Sequence, residues 1–104
     1  MPQYFEKNDN LVEKPLVVTY EIFGKKISLH SNSGVFSKDK IDEGTFAFLK
    51  VLVPRHLSGK VLDVGCGYGA IGITLSKFFD IEVTMLDINE RALALANKNV
   101  KLNN

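Results

Sequence analysis

Hydrophobic and polar positions divide the chain into short, well-punctuated segments. The run Leu16-Val17-Val18-Thr19-Tyr20-Glu21-Ile22-Phe23 is rich in β-branched and aromatic residues, which predicts a strand over 16–23. Gly24-Lys25-Lys26 supplies a turn and Ile27-Ser28-Leu29 alternates as a returning strand, so the two make a hairpin. Ser31-Asn32-Ser33-Gly34 reads as loop, and residues 1–15, polar and irregular with Asn8-Asp9-Asn10 and Pro15, as an arm ahead of the first strand. From Asp39 to Val53 the period turns helical, with Ile41, Thr45, Phe48, Leu49 and Leu52 near one face. Gly44 weakens that helix by about 1 kcal/mol relative to Ala, which marks it as a point of close approach by ligand or backbone. Pro54 and Ser58-Gly59 then break the pattern.

The second half repeats a strand–helix unit. An apolar strand over 60–64 is followed by Ile71, Leu75, Phe78 and Phe79, spaced for one face of a helix over 68–79. Residues 82–86 form another strand. Asn89 suits a helix N-cap, and Ala92, Leu93, Ala96 and Val100 are the apolar stripe of a last helix over 90–102. The order predicts an α/β fold: a β-hairpin and helix over 16–53, then a βαβα unit over 60–102 opening a Rossmann-like parallel sheet. Parallel sheets are buried on both faces, which two strands alone do not achieve. The expectation is therefore the N-terminal portion of a larger domain whose C-terminal strands are missing.

Composition changes this picture little. Among 104 residues, 45% are hydrophobic and 24% charged, ordinary values for a packed globular chain. A net charge of +1 supplies no general attraction to nucleic acid or membrane. One cysteine forms no internal disulfide, the N-terminus lacks a signal-peptide pattern, and no apolar run reaches membrane-spanning length. These features predict a cytoplasmic chain.

The candidate chemistry lies in Asp63-Val64-Gly65-Cys66-Gly67-Tyr68-Gly69 and in Asp87, about 20 residues beyond Gly67. A glycine loop between strand and helix lets a ligand approach the backbone, the helix start offers N–H groups, and a carboxylate ending the next strand can reach ribose hydroxyls. Gly67-Tyr68-Gly69-Ala70-Ile71-Gly72 is also a literal G-x-G-x-x-G, so an NAD(P)-binding domain or a non-catalytic cofactor module is the alternative. Charge separates the two readings. A carboxylate at Asp63 repels a pyrophosphate but attracts the ammonium and sulfonium of S-adenosyl-L-methionine. On that reading Asp63 meets the amino-acid end, the glycine-loop N–H groups cover the carboxylate, Asp87 takes the ribose and Ile88 lies against adenine.

The chain resembles the "small methyltransferase" domain of the ribosomal RNA guanine-N2 methyltransferases, within the class I S-adenosylmethionine-dependent enzymes. Tyr4-Phe5, Gly34-Val35-Phe36-Ser37, Asp42-Glu43-Gly44-Thr45, Asp63 to Gly69, Asp87-Ile88-Asn89 and Asn97-Lys98-Asn99 carry the likeness. The resemblance implies a single methyltransferase domain from residue 16 onward, with Phe36, Ser37 and Thr45 forming a lid and Gly44-Thr45 near the methionine end. With them, Asp63, Gly65, Cys66, Gly67, Tyr68, Gly69, Asp87 and Ile88 complete the cofactor set; no metal is implied. It further implies methyl transfer to an exocyclic base amine, guanine N2 of small-subunit ribosomal RNA, although related enzymes with the same loop methylate adenine, protein glutamine or small molecules. The family's catalytic Asn-Pro-Pro-aromatic motif would fall beyond Asn104, so the catalytic residues stay unassigned.

Plainer roles compete at several positions. Asp63 can cap loop or helix N–H groups, and Cys66 can be a small residue fitted between glycines. Tyr68 can close over a cofactor or only cover the loop, while Phe36 in a polar loop suits a ligand-facing aromatic. His30 and His56 have no partner at ligand spacing. Lys25, Lys26, Lys38 and Lys40 suit solvated surface better than RNA phosphates.

Overall fold

The computed structural model describes residues 14–33, 36 and 39–103. Strands β1 (Pro15–Ile22) and β2 (Lys25–Asn32) pair antiparallel, with Val18 opposite Leu29 and Tyr20 opposite Ile27. Alternation sends Val18, Tyr20, Ile22, Ile27, Leu29 and Ser31 to the buried face. The outer face carries polar pairs such as Thr19 and Ser28, whose hydroxyls lie 3.1 Å apart.

The turn differs from the expected Gly24-Lys25-Lys26. Phe23 and Gly24 make it, with φ of 45° and 81°, and Lys25 and Lys26 open β2. Two consecutive left-handed residues give the tight twist that a two-residue hairpin needs. Phe23 accepts that conformation with its ring edge-on to Phe78, at 6.4 Å between centroids. β2 also runs through Ser31 and Asn32, expected as loop, because Ser31 faces the core and pairs with Leu16. Pro15 pairs with Asn32, and the Lys14 N–H donates to Ser33 Oγ, so the strand pair extends into residues expected as arm.

Helix α1 (Glu43–Leu52) starts four residues later than the apolar period indicated. Asp42 is the cause: its Oδ2 accepts from the Thr45 N–H at 3.0 Å and sets the first turn. Gly44 serves that cap. A Cβ there would stand 3.1 Å from Asp42 Oδ2, so the close approach comes from the capping carboxylate. A 3-10 turn over Val53–Arg55, with Pro54 in its first positions, ends at His56 in left-handed conformation.

Strand β3 (Gly59–Val64), helix α2 (Ala70–Phe78), strand β4 (Ile81–Leu86) and helix α3 (Glu90–Asn103) complete the order. β3 and β4 pair parallel, with Asp63 opposite Met85 and Val64 opposite Leu86. Asn89 caps α3 as expected, its Oδ1 accepting from Arg91 and Ala92 N–H groups. The fold is thus mixed α/β, an antiparallel hairpin followed by parallel strands with helices.

The core forms where the hairpin packs on α1 and α2, around Val18, Ile27, Leu29, Leu49 and Leu75. Tyr20 crosses it: the ring meets Phe46 edge-on, and the hydroxyl lies 2.6 Å from Thr74 Oγ1 and 3.4 Å from the Ala70 carbonyl. Among the described residues, only one face of the parallel pair is covered. Leu62, Val64 and Leu86 stand exposed on the other. Among the described residues no helix is long and apolar enough to cross a membrane.

Candidate functional site

The glycine loop is built to leave β3 and fold back under β4. The N–H groups of Gly65 and Cys66 both donate to the Leu86 carbonyl, at 2.8 and 2.9 Å. Gly67 N–H donates to Asp87 Oδ2 at 2.8 Å, and Gly69 N–H to the Cys66 carbonyl at 3.0 Å. These internal bonds hold the loop in shape, and they commit N–H groups that the sequence reading gave to the ligand's carboxylate. At 65, 66, 67 and 69 the donors already have protein acceptors.

Two carboxylates flank the loop in different electrostatic states. Asp63 is buried, with Oδ2 accepting from the Gly72 N–H at 3.1 Å, inside the first turn of α2. Burial pushes its carboxyl above the ordinary range; the Gly72 N–H pulls the other way and the Asp87 charge adds to the rise. Asp87 uses both oxygens, Oδ1 for the Asn89 N–H and Oδ2 for the Gly67 N–H, and these bonds hold it below the ordinary range. The plain capping role of Asp63 is realised, and Asp87 braces the loop from the next strand.

A cavity of about 460 Å³ opens above this loop, within the span of about 300–1,000 Å³ usual for small-molecule sites. Of the residues singled out in the sequence, Phe36, Thr45, Gly65, Cys66, Gly67 and Tyr68 line it together. Phe36 meets Tyr68 edge-on at 5.0 Å, and a Cβ on Gly67 would stand 3.4 Å from Phe36 Cζ, so the ring lies against the loop. Asp63, Gly69, Asp87 and Ile88 are not on the wall. Gly69 packs toward α3, Asp87 touches the wall through Gly67, and Ile88 projects fully into solvent at 103% relative exposure. Ser37 lies outside the described residues, as do Tyr4-Phe5, Gly34-Val35 and Lys38.

Cys66 is buried and its thiol is pushed up, first by burial and then by the Asp63 and Asp87 carboxylates. A thiol so disfavoured as thiolate is a packing residue. Among the described residues no group of His, Cys, Asp and Glu side chains is assembled for a metal ion.

Several participants were not legible in the sequence. Lys40 and Asp42 line the cavity as its one cation and one anion among the described residues, joined by Ala70 and Ile71. Lys40 had read as solvated surface and Asp42 only as part of the family likeness. Asn99 is fully buried and bonds to both His30 and Tyr68. The family likeness included it in Asn97-Lys98-Asn99 without a role; its place three residues after Ala96 and seven after Ala92, a polar residue on the buried stripe of α3, was the structural signal.

Residues 26–104 match the family described as methyltransferase small domain. A Bacillus subtilis relative, named uncharacterized protein YbxB, is 36% identical over 101 residues, covering 96% of this chain and 50% of its own length. The chain therefore spans about half the length of that curated relative. The structure is similar to that of the T. thermophilus 16S rRNA N2 methyltransferase RsmC, solved with AdoMet and guanosine, at a TM-score of 0.75 and 28% identity over 86% of this chain and 25% of the other.

Proposed function

This chain belongs to the methyltransferase small domain family, and on that premise we propose that it binds S-adenosyl-L-methionine for methyl transfer to an exocyclic base amine, guanine N2 of small-subunit ribosomal RNA. The observation that carries the cofactor is the loop's electrostatics. Asp63 and Asp87 bracket a glycine loop whose N–H groups at 65, 66, 67 and 69 have internal acceptors. Such a loop has little to offer a pyrophosphate and suits a ligand carrying an ammonium and a sulfonium. The RNA acceptor rests on the likeness to RsmC, and a cytoplasmic setting follows from it.

When bound, the cofactor supplies an electrophilic methyl group on sulfur. The chain's own residues then divide the work. Asp87 accepts from the ribose hydroxyls beside the loop it already braces, and Ile88, exposed next to it, covers the adenine. Asp42 and Thr45 face the amino-acid end, and Asp63, buried behind the wall, adds its charge on that side. Lys40 replaces the loop N–H groups as partner of the cofactor's carboxylate. Phe36 and Tyr68 exclude water from the sulfonium, with Ser37 in the same segment. Cys66, Gly65 and Gly67 shape the floor, and Gly69 turns the chain into α2 behind it. Residues 16–104 form one part of a methyltransferase domain on this reading, and positioning of the acceptor amine is the principal device left to catalysis.

Isothermal titration calorimetry of the chain with S-adenosylhomocysteine and with NADH tests the proposal. Saturable binding of S-adenosylhomocysteine and none of NADH is expected. NADH binding without S-adenosylhomocysteine binding establishes the dinucleotide alternative instead.

A further inference from the structure

The Asn99 carboxamide is wholly buried, and three of its hydrogen-bonding positions are filled. Oδ1 accepts from the His30 N–H at 2.7 Å, while Nδ2 donates to the His30 carbonyl at 2.9 Å and to the Tyr68 carbonyl at 2.8 Å. Exchanging the amide's O and N would set donor against donor and acceptor against acceptor, so the network admits one orientation. Toward β2 the side chain acts as a strand neighbour would, satisfying both backbone groups of one edge residue. Asn103, one turn later, repeats this more weakly with the Ser28 carbonyl at 3.3 Å. Of these two asparagines, Asn99 is the one that also bonds to the loop.

The loop end it holds packs closely on α2 and α3. Gly69 has φ of 103°, and a Cβ there would lie 2.8 Å from Ile73 Cδ1 and 3.6 Å from Ala96 Cα. The chain therefore passes close over α3 one turn before Asn99. Tyr68, whose carbonyl Asn99 holds, presents its ring to Phe36 and to the cavity. A 69-residue separation between Asn99 and His30 means that this one side chain joins hairpin, last helix and glycine loop.

We infer that Asn99 is a positioning residue of the cofactor loop: it fixes the Tyr68–Gly69 peptide, and through it the Tyr68 ring and the cavity wall, by clasping that peptide to β2. This rests on the reading of the cavity as the S-adenosylmethionine site. Without Asn99 the Tyr68 carbonyl loses its buried donor, and the peptide can turn toward the cavity to find water.

The test compares Asn99→Ala with Asn103→Ala, which removes the neighbouring contact on the same strand edge but none to the loop. Ile22→Ala, in the core beside the hairpin turn, serves as a control for destabilisation away from the loop. Calorimetry should show S-adenosylhomocysteine affinity reduced by about tenfold or more in Asn99→Ala, one buried hydrogen bond's worth, and within about twofold of wild type in the controls. Amide NMR of the ligand-free proteins should show displaced Tyr68 and Gly69 resonances in Asn99→Ala alone. If Asn99→Ala does not fold, Asn99→Asp keeps the volume and the His30 acceptor but offers the Tyr68 carbonyl no donor when ionised. Wild-type affinity with unmoved Tyr68 and Gly69 resonances overturns the inference, as does an affinity loss that Ile22→Ala reproduces at equal loss of Tm. Failure of the wild type to bind S-adenosylhomocysteine would instead overturn the cofactor assignment, and the ligand-free resonances would still decide the role of Asn99.

Discussion

Replacing Gly72 by Ala should separate a packing role from a ligand role for the third glycine of the G-x-G-x-x-G match, which lies inside α2. A Cβ at this helical position would stand 2.9 Å from Val83 Cγ1, 3.1 Å from Met85 Sδ and 3.3 Å from Asp63 Oδ2. Carbon–carbon contacts relax at about 3.5–4.0 Å, so α2 must retreat from β4 or Val83 must move. Met85 can yield at its flexible end, but Val83 is β-branched and stiff within a strand. Overpacking of this kind costs about 1–3 kcal/mol, and lengthening the Gly72–Asp63 bond adds to it. The better helix propensity of Ala offsets about 1 kcal/mol. The net expectation is a loss of about 2 kcal/mol, or about 8–16 °C in Tm for a chain of this size. Urea and thermal unfolding followed by far-UV circular dichroism measure it. The decisive variant is the double substitution with Val83→Ala, which removes the nearest clashing atom: it should lose less stability than the sum of the single changes by at least about 1 kcal/mol. Additivity within about 0.5 kcal/mol, or a Tm unchanged by Gly72→Ala, would refute the packing account.

Other outcomes follow from the two carboxylates and the buried tyrosine. Asp63 titrates above its ordinary value of 3.8, so the native state keeps a proton that the unfolded chain has lost. Stability should therefore fall as pH rises from 3.8 through the raised value and level off above it, and Asp63→Asn should abolish that fall while weakening S-adenosylhomocysteine binding. Parallel stability–pH curves for the two proteins would count against it. Asp87 behaves oppositely: its depressed value gives stability present above the ordinary 3.8 and lost on acidification through the lower one. Asp87→Ala should reduce S-adenosylhomocysteine affinity about tenfold or more, one or two hydrogen bonds to a charged group, and unchanged calorimetric affinity sinks the ribose assignment. Tyr20 is pushed up from 10.0 to about 12 by burial, with the Thr74 hydroxyl opposing. The native state thus loses about 2 kcal/mol between pH 10 and 12, a loss that Tyr20→Phe should remove from denaturant unfolding measured across that range.

Features that depend on neighbours along the chain were legible before any coordinates. The period-two face of the hairpin, the Asn89 cap and the apolar stripes of α2 and α3 all follow from spacing, because one backbone conformation repeats a side chain's direction every two or about 3.6 residues. Where local rules competed, the boundaries moved. Phe23 took a left-handed turn position that its residue type disfavours, because its ring gained Phe78. α1 began only where Asp42 could cap it, although Ile41 already belonged to the apolar period.

The sequence by itself determined the strand–loop–helix order, the two carboxylates beside the glycines and the family likeness, since each lies within one local segment. Tertiary structure alone decided which polar groups were spent on holding the loop. Leu86 took the N–H groups of Gly65 and Cys66, Asp63 took that of Gly72, and Lys40 rather than the loop was left to face the cavity as a cation. It also made Asn99 the clasp between hairpin and loop. The reason is physical: an unpaired buried donor or acceptor is costly, so most take a partner wherever the packed chain brings one. Partners tens of residues away have no signature in local spacing.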